Sequence, residues 1–163
     1  MRSLAVLLAA LVLLSGCSSE KKDTTVGQAL PAVTLQPLGT GRPVALSGVR
    51  GPMVINLWAS WCGPCREELP HYQAFAQKYA GKVDVLGIDW QDTRADQAKA
   101  LARRSGVTYP LVTDPGGRLH AQALPKIVLV DRHGRVTHQE YARITSVKML
   151  EGLVHRYLGV PTS

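Results

Sequence analysis

The sequence predicts an α/β domain built on a mixed β-sheet, and three observations support this fold class. Three short apolar runs, at residues 53–60, 83–89 and 126–130, are typical of strands buried on both faces of a sheet. Segments with apolar residues at helical spacing follow the first two runs, which indicates parallel strands joined through helices. A turn at residues 131–134 follows the third run and predicts a hairpin, so the sheet also contains antiparallel strands.

A short β extension is expected ahead of the first buried strand. Residues 32–35 and 43–46 are extended candidates, and the Gly-rich stretch 39–41 predicts the turn between them.

The first helix follows the strand at 53–60. It is expected to begin near Pro64 and to end at Gly81, because proline is favoured in the first turn of a helix and glycine after the last. Pro70 lies inside this segment and predicts a kink there. The later elements are expected, in order, as a strand at 83–89, a helix at 94–105, an extended segment at 109–113, a strand at 126–130, its antiparallel partner at 136–141 and a closing helix at 146–158.

The first residues have the layout of a secretory signal peptide. A basic start is followed by eleven apolar residues, 4–14, which is fewer than the roughly 20 that a membrane-spanning helix needs. Residues 14–17, Leu-Ser-Gly-Cys, resemble the bacterial lipobox, which implies a lipoprotein signal peptide at 1–16 and a lipidated Cys17. An ordinary signal peptide with a chance cysteine and an uncleaved short anchor are the alternatives.

The mature chain is expected to begin with a polar stretch. Residues 17–27 contain almost no apolar side chains after the cysteine and are expected to form a flexible tether. The folded domain is expected at 28–160. The protein is then located outside the cytoplasm, in the cell envelope, and is anchored to the bacterial cell membrane by the acyl chains on Cys17.

The charge pattern argues against nucleic acid as a partner. The formal net charge is +7, but the basic residues are scattered and no run of five occurs. Nucleic-acid-binding proteins usually carry their positive charge as a patch or stripe together with a recognition motif. We therefore expect a diffuse basic surface, which a nearby acidic membrane surface would favour weakly.

The chain has three cysteines. If Cys17 carries lipid, Cys62 and Cys65 remain as a possible redox pair. Cys62 and Cys65 are separated by two residues, and an exported compartment allows disulfides to persist. A disulfide that closes so short a loop stabilises the fold little. The pair is therefore expected to exchange electrons rather than to hold the fold together.

This pair lies between the first buried strand and the first helix, in the stretch Trp61-Cys62-Gly63-Pro64-Cys65. The free N–H groups and the positive dipole at a helix N-terminus favour a thiolate, so the pKa of Cys62 should be lowered. We expect Cys62 to be the exposed nucleophile and Cys65, one turn further on, to be the buried resolving thiol. Trp61, Gly63 and Pro64 are expected to support the site, with Trp61 contributing to the substrate surface.

A zinc site is the alternative for a Cys-x-x-Cys pair, and the sequence does not favour it. Zinc usually takes four ligands, and no second cysteine pair is present. His133 and His138 have a ligand-like spacing, but they flank the predicted hairpin turn. We therefore predict neither a metal nor a cofactor. Glu67 and Glu68 are expected to be solvated charges in the first turns of the helix.

Residues 54–70, Val-Ile-Asn-Leu-Trp-Ala-Ser-Trp-Cys-Gly-Pro-Cys-Arg-Glu-Glu-Leu-Pro, resemble the active-site stretch of the thioredoxin superfamily and are most similar to its TlpA/ResA-like membrane-tethered branch. The resemblance implies a thioredoxin-like fold, with a central mixed sheet flanked by helices, and thiol–disulfide exchange outside the cytoplasm. Leu124-Pro125 matches the family's cis-proline loop, so Pro125 is expected to face the cysteines after a cis bond. Asn56 stands where classical thioredoxins carry a buried Asp, which leaves open the group that accepts the Cys65 proton.

Two features depart from the family's pattern. The stretch 114–125 looks several residues short, and Lys126 replaces the common small or hydroxyl residue after the proline. A shortened helix in this stretch is expected to expose the active site or to loosen the loop. A second hypothesis is that Lys126 lies close to Cys62 and stabilises its thiolate.

The sequence therefore predicts a thiol–disulfide oxidoreductase that exchanges the Cys62–Cys65 pair with exported proteins carrying thiols or disulfides. The Gly-Pro pair between the cysteines resembles the reducing end of the superfamily, which implies a reductase supplied by a membrane redox partner. The resemblance also implies cytochrome c maturation as one role. An oxidase that forms disulfides in exported proteins is the alternative. A peroxiredoxin-like peroxidase would need Thr-x-x-Cys and a related metal-binding chaperone Cys-x-x-x-Cys, and the sequence has neither arrangement.

Overall fold

A mixed β-sheet organises residues 25–161, the part of the chain that the computed structural model describes. Its elements, in chain order, are β1 (Thr34–Pro37), β2 (Val44–Ala45), a 3-10 turn (Leu46–Gly48), β3 (Met53–Trp58), α1 (Gly63–Lys78), β4 (Asp84–Trp90), α2 (Ala95–Arg104), β5 (Leu111–Asp114), β6 (Lys126–Val130), β7 (Val136–Glu140) and α3 (Val147–Leu158). The predicted signal peptide, Cys17 and most of the predicted tether lie outside the described residues.

The sheet has parallel strands at its centre and antiparallel strands toward both edges, in the order β2-β1-β5-β4-β3-β6-β7. β3 and β4 are parallel, as are β4 and β5. β6 runs antiparallel to β3, and β7 runs antiparallel to β6. At the other edge, β1 pairs antiparallel with β5 and with β2. The predicted mixed sheet, terminal hairpin and short N-terminal β extension are confirmed.

The two faces of β3 pack against different layers, because successive side chains of a strand point to opposite sides of the sheet. Val54 packs in a buried cluster with aromatic residues of α1 and apolar residues of α3. Ile55 and Leu57 pack on the other face, against the N-terminal extension and Leu119. Helices therefore cover one face of the sheet, and extended chain covers the other.

Local sequence explains where α1 begins and ends. Cys62 has an extended backbone and caps the helix, and Pro64 lies in the first turn, where no N–H is needed. The helix ends at Lys78, and Gly81 follows with a φ of +75°, in the left-handed region that glycine favours. Pro70 lies within the helix. The predicted start is confirmed, and the helix stops a few residues before the glycine.

The closing helix α3 is capped at both ends. The Ser146 hydroxyl accepts a hydrogen bond from the Met149 N–H at 3.2 Å, and Gly159 follows the last turn with a φ of +66°. The helix predicted at 146–158 is therefore confirmed. No helix within residues 25–161 is long and apolar enough to cross a lipid bilayer.

The connection from β5 to β6 is built without regular secondary structure. Residues 115–125 contain turns but neither a helix nor a strand. A carboxylate oxygen of Asp114 accepts a hydrogen bond from the Leu119 N–H at 3.0 Å, and the other oxygen lies 3.3 Å from the Arg118 guanidinium. Leu119 and Ala121 are buried against the sheet. The expected shortened helix is thus wrong, because an anchored loop takes its place.

Candidate active site

The Cys62–Cys65 disulfide lies where the chain leaves β3 and enters α1. Cys62 caps α1, and its sulfur accepts a hydrogen bond from the Cys65 N–H at 3.3 Å. Gly63 and Pro64 lie in the first turn between the two cysteines and are exposed. The two sulfurs predicted to form a redox pair are therefore bonded to each other at the N-terminus of a helix.

The burial of the two cysteines differs in part from the expectation. Cys65 is fully buried, as expected, but Cys62 is only 4 % exposed in this disulfide form. Both sulfurs belong to a buried cluster with Trp58, side chains of α2 and the partly buried Leu124. The expectation of an exposed Cys62 is thus wrong for the oxidised protein, because these neighbours pack around it.

Hydrogen bonds fix the loop between β3 and α1 to the neighbouring loop after β4. The Ser60 N–H donates to a carboxylate oxygen of Asp92 at 2.6 Å, and the Trp61 indole N–H donates to the Gln91 carbonyl at 3.1 Å. The Arg66 guanidinium donates back to the Ser60 carbonyl at 2.9 Å. Trp61 keeps 44 % of its surface exposed, so the loop is held in place while its indole faces solvent.

Burial acts to raise the pKa of Asp92, but hydrogen bonds from Ser60 and from the Arg94 backbone N–H outweigh it and leave the pKa below its usual value. Asp92 is therefore a carboxylate at neutral pH. Its negative charge and its hydrogen bonds both act on the loop that carries the first cysteine.

Pro125 lies next to the disulfide, in the loop that leads into β6. The Leu124–Pro125 bond is cis, as the sequence predicted, and β6 begins at the next residue. Lys126 pairs with Leu57, so Pro125 lies level with the end of β3, where the loop to the cysteines starts. Leu124 packs in the cluster that contains both cysteine sulfurs. The cis-proline segment and the disulfide are therefore neighbours.

Lys126 does not lie where the thiolate hypothesis requires. It is only 1 % exposed, and it lines a small cavity together with Leu57 and Val128 on the sheet face opposite α1. Its ammonium group lies 5.3 Å from the centre of the Tyr141 ring. The hypothesis that Lys126 stabilises the Cys62 thiolate is not supported, because side-chain alternation directs the lysine away from the cysteine-bearing helix.

Glu68 is fully buried, which corrects the expectation that it is solvated. It lies one turn after Cys65, on the side of α1 that packs against the sheet. One carboxylate oxygen accepts a hydrogen bond from the Ile144 N–H at 2.7 Å, while the other has no hydrogen-bond partner. Burial raises the pKa of Glu68 to about 7, although the Ile144 hydrogen bond acts to lower it. Glu67, by contrast, is exposed and paired with Arg143, as expected of a surface charge.

Asp89 is another buried carboxyl group, and the sequence reasoning missed it. It lies next to Trp58 in the β3–β4 register, is fully buried, and neither of its carboxylate oxygens has a hydrogen-bond partner. Burial, followed by the nearby charge of Asp92, raises its pKa to about 8. The signal that could have found it is an acidic residue flanked by apolar ones in the buried part of a strand.

Fold and site together define a thioredoxin-like thiol–disulfide oxidoreductase: a mixed sheet with helices packed on one face, a Cys-x-x-Cys disulfide at a helix N-terminus and a cis-proline beside it. The chain belongs to the AhpC/TSA family, whose sequence profile matches residues 26–139. The family resemblance and the fold expected from the sequence are both confirmed.

Named relatives agree with this class. The chain is 34 % identical over 117 residues to the thiol:disulfide interchange protein HelX of Rhodobacter capsulatus, a match that covers 68 % of this chain and 64 % of that protein. It is 33 % identical over 141 residues to the thiol-disulfide oxidoreductase ResA of Geobacillus thermodenitrificans, covering 82 % of this chain and 80 % of that one. A crystal structure from Chlorobium tepidum, described as a DsbE thiol:disulfide interchange protein, superposes with a TM-score of 0.72 at 28 % identity, over 84 % of this chain and all of that one.

Proposed function

We propose that the protein reduces disulfides of exported proteins and that the Cys62–Cys65 pair is its redox centre. The observation that carries this proposal is the hydrogen bond from the Cys65 N–H to the Cys62 sulfur in the first turn of α1. In the reduced protein the same N–H and the positive end of the helix dipole would stabilise a Cys62 thiolate. The thiolate is the form of cysteine that attacks disulfides.

In the first step the Cys62 thiolate attacks one sulfur of a substrate disulfide. A bond forms between Cys62 and that sulfur while the substrate disulfide breaks, and the other substrate sulfur leaves as a thiolate. Pro125 leaves the backbone before it able to pair with an extended substrate segment. The exposed indole of Trp61 offers an apolar surface to the same segment.

In the second step Cys65 resolves the mixed disulfide. Its thiol loses a proton and attacks the Cys62 sulfur, which releases the second substrate thiolate and forms the Cys62–Cys65 disulfide. The substrate gains two electrons, which the protein loses. We assign the exchange of the Cys65 proton to Glu68, because this buried carboxyl lies one turn along the same helix and its pKa is about 7.

Each cycle leaves the protein oxidised, so a dithiol donor must return two electrons. We assign this role to a membrane redox partner, because the proposed anchor keeps the domain near the membrane. Cytochrome c maturation is the role within this class that the family resemblance supports. The oxidase alternative uses the same cysteines in the reverse direction, with a partner that accepts electrons.

The reduction potential separates the two directions. A reductase is expected near the thioredoxin value of about −270 mV, and an oxidase near the DsbA value of about −120 mV. Equilibration of the pair with glutathione buffers measures this potential. A value at the DsbA end would exclude the reductase and favour disulfide formation.

The proposed location depends on residues 1–27, with a signal peptide at 1–16 and a lipidated Cys17. We expect the wild-type protein to incorporate labelled fatty acid and to sediment with membranes, because stable anchoring takes more than one acyl chain. Cys17→Ser should lose both the label and the membrane association while Cys62 and Cys65 remain able to form their disulfide. Membrane retention of this variant would refute the lipid anchor.

Partner trapping tests the proposed function. Cys65→Ser removes the resolving thiol, so exported proteins should accumulate as mixed disulfides with Cys62, and mass spectrometry can identify them. Cys62→Ser is the matched control and should trap far less. Equal yields from the two variants, or no adducts that a reductant can release, would show that Cys62 is not the attacking group.

A further inference from the structure

The loop that precedes Pro125 is held at two points, by a side chain of β5 and by one that follows the end of β7. Near its start, Asp114 accepts a hydrogen bond from the Leu119 N–H at 3.0 Å. Near its end, the Tyr141 hydroxyl accepts a hydrogen bond from the Gln122 N–H at 3.0 Å. Because residues 115–125 contain no helix, side chains such as these position the backbone that leads into the cis-proline.

Tyr141 is itself held by Lys126, the residue that follows the proline. The lysine is almost fully buried, and its ammonium lies 5.3 Å from the centre of the Tyr141 ring, within the range of a cation–π interaction. Since β6 begins at Lys126, the contact ties the tyrosine ring to the first residue of the strand after Pro125. Tyr141 therefore contacts the chain on both sides of the proline.

The outer surface of Tyr141 is exposed next to the loop that leads to Pro125. Its exposed fraction is 44 %, the same as that of Trp61, and among the large hydrophobic residues of the described chain only Val26 joins these two as exposed. Trp61 precedes Cys62, and Tyr141 contacts the loop whose Leu124 packs with the disulfide. Exposed aromatic side chains at such a place are typical of binding surfaces.

We propose that Tyr141 is a positioning and specificity residue of this site. Its hydroxyl holds the loop before Pro125, and its ring contacts an apolar side chain next to the cysteine of a protein substrate. This inference rests on the proposed function. It predicts that the enzyme prefers a polypeptide disulfide to a small one, since only a polypeptide reaches the tyrosine while its sulfur is at Cys62.

Rates of oxidation of the reduced protein test this preference. The two probes are insulin, a polypeptide that contains disulfides, and oxidised glutathione, a small-molecule disulfide. Tyr141→Leu should lower the second-order rate constant for insulin by about tenfold, the size of loss that follows truncation of a well-packed interface aromatic. The loss for glutathione should be clearly smaller, so the ratio of the two rate constants falls. With insulin, the effect should lie in the apparent KM rather than in the rate at saturation.

Two further variants separate positioning from folding. Tyr141→Phe keeps the ring but removes the hydrogen-bond acceptor, so the Gln122 amide should exchange faster with deuterium. Tyr157→Phe makes the same chemical change on α3, where the ring stacks on His138, and should leave that amide unchanged. Lys126→Met keeps the length of the side chain without the charge, and it should lower the insulin-to-glutathione ratio in the same direction as Tyr141→Leu.

Three results would overturn the proposal. Equal losses for insulin and glutathione in Tyr141→Leu would mean that the tyrosine acts on the disulfide chemistry or on the fold in general. Unchanged rates for both probes would mean that it contacts no substrate. If the wild-type protein exchanges with neither probe, the proposed function fails and the specificity role fails with it.

Discussion

Glu68 places a group that titrates near neutral pH beside the redox pair. Its carboxyl is buried, one of its oxygens has no partner, and its pKa is about 7. Below that pH it holds a proton, and above it the carboxylate can accept one. A buried thiol that must be deprotonated before it can attack needs a proton acceptor. Asn56, at the position where classical thioredoxins carry a buried Asp, has no carboxylate to serve as one, and Glu68 has.

Glu68→Gln removes this titration and keeps the size of the side chain. We expect the exchange rate of the wild-type protein to rise with pH through about pH 7. The variant should lose that inflection and react at least about tenfold more slowly than the wild type at about pH 8. Stopped-flow measurement of exchange across this pH range provides the check. Glu67→Gln, a change on the exposed face of the same helix, should retain the wild-type profile. A retained inflection in Glu68→Gln would disprove the assignment.

Asp89 makes stability depend on pH in an unusual direction. Its carboxyl titrates at about 8 in the folded protein, compared with an ordinary value of 3.8. Between these values the folded state holds a proton that the unfolded chain has released, so the free energy of unfolding falls as pH rises. The raised pKa of Glu68 acts in the same direction.

Asp89→Asn should therefore flatten the pH dependence of stability. Between about pH 5 and about pH 8, urea unfolding of the oxidised protein should show the wild type losing up to about 4 kcal/mol more than the variant, because a proton held only by the folded state lowers stability by about 1.4 kcal/mol per pH unit. Asp96→Asn, at a fully exposed position in α2, is the control and should keep the wild-type slope. Parallel curves for wild type and Asp89→Asn would argue against the raised pKa.

At the scale of elements, helix ends are set by single residues. The Ser146 hydroxyl satisfies an N–H in the first turn of α3, a group that has no partner within the helix. Ser146→Ala should lower the free energy of unfolding by about 1 kcal/mol, whereas Ser146→Asp, which retains an acceptor, should cost little. Chemical denaturation of the three proteins compares them directly. Equal losses from Ala and Asp would indicate that the cap does not stabilise α3.

Elements whose sequence pattern is strong were predicted well. β6 has the predicted bounds because every residue in it is buried, which gives a continuous apolar run between polar turns. β5 begins two residues later than expected, at Leu111, because pairing with β4 rather than apolar content decides where the ladder starts. The burial of Glu68 was available in principle, since it shares a helical face with Cys65 and Tyr72.

At the scale of the whole molecule, local sequence patterns did not predict the contacts between distant segments. Lys126 was expected near the thiolate, but its position depends on Tyr141 and on a loop that packs without a helix. The Gly51–Pro52 bond is cis, and nothing in the local pattern indicated it. The redox pair was predicted from its spacing and its place before a helix, and the second cis-proline was predicted from the family resemblance.

The order of the strands explains why the redox pair lies where β3 ends. β3 is central and pairs with β4 and β6. Its last residues lie level with the start of β6, so the loop from β3 to α1 begins beside Pro125. Three segments far apart in sequence, the loop after β3, the loop after β4 and the loop before β6, therefore meet around the two sulfurs. The fold thus brings the Cys62 sulfur, its helix and the cis-proline to one place.

The most direct test is the titration of Cys62 in the fully reduced protein. Alkylation by iodoacetamide, measured across pH by mass spectrometry of the peptide that contains Cys62, reports the fraction of thiolate. If the N-terminus of α1 stabilises that sulfur, alkylation should reach half its maximal rate at a pH well below that of the same cysteine in the urea-unfolded chain. Coincident titration curves for the folded and unfolded protein would contradict the central claim.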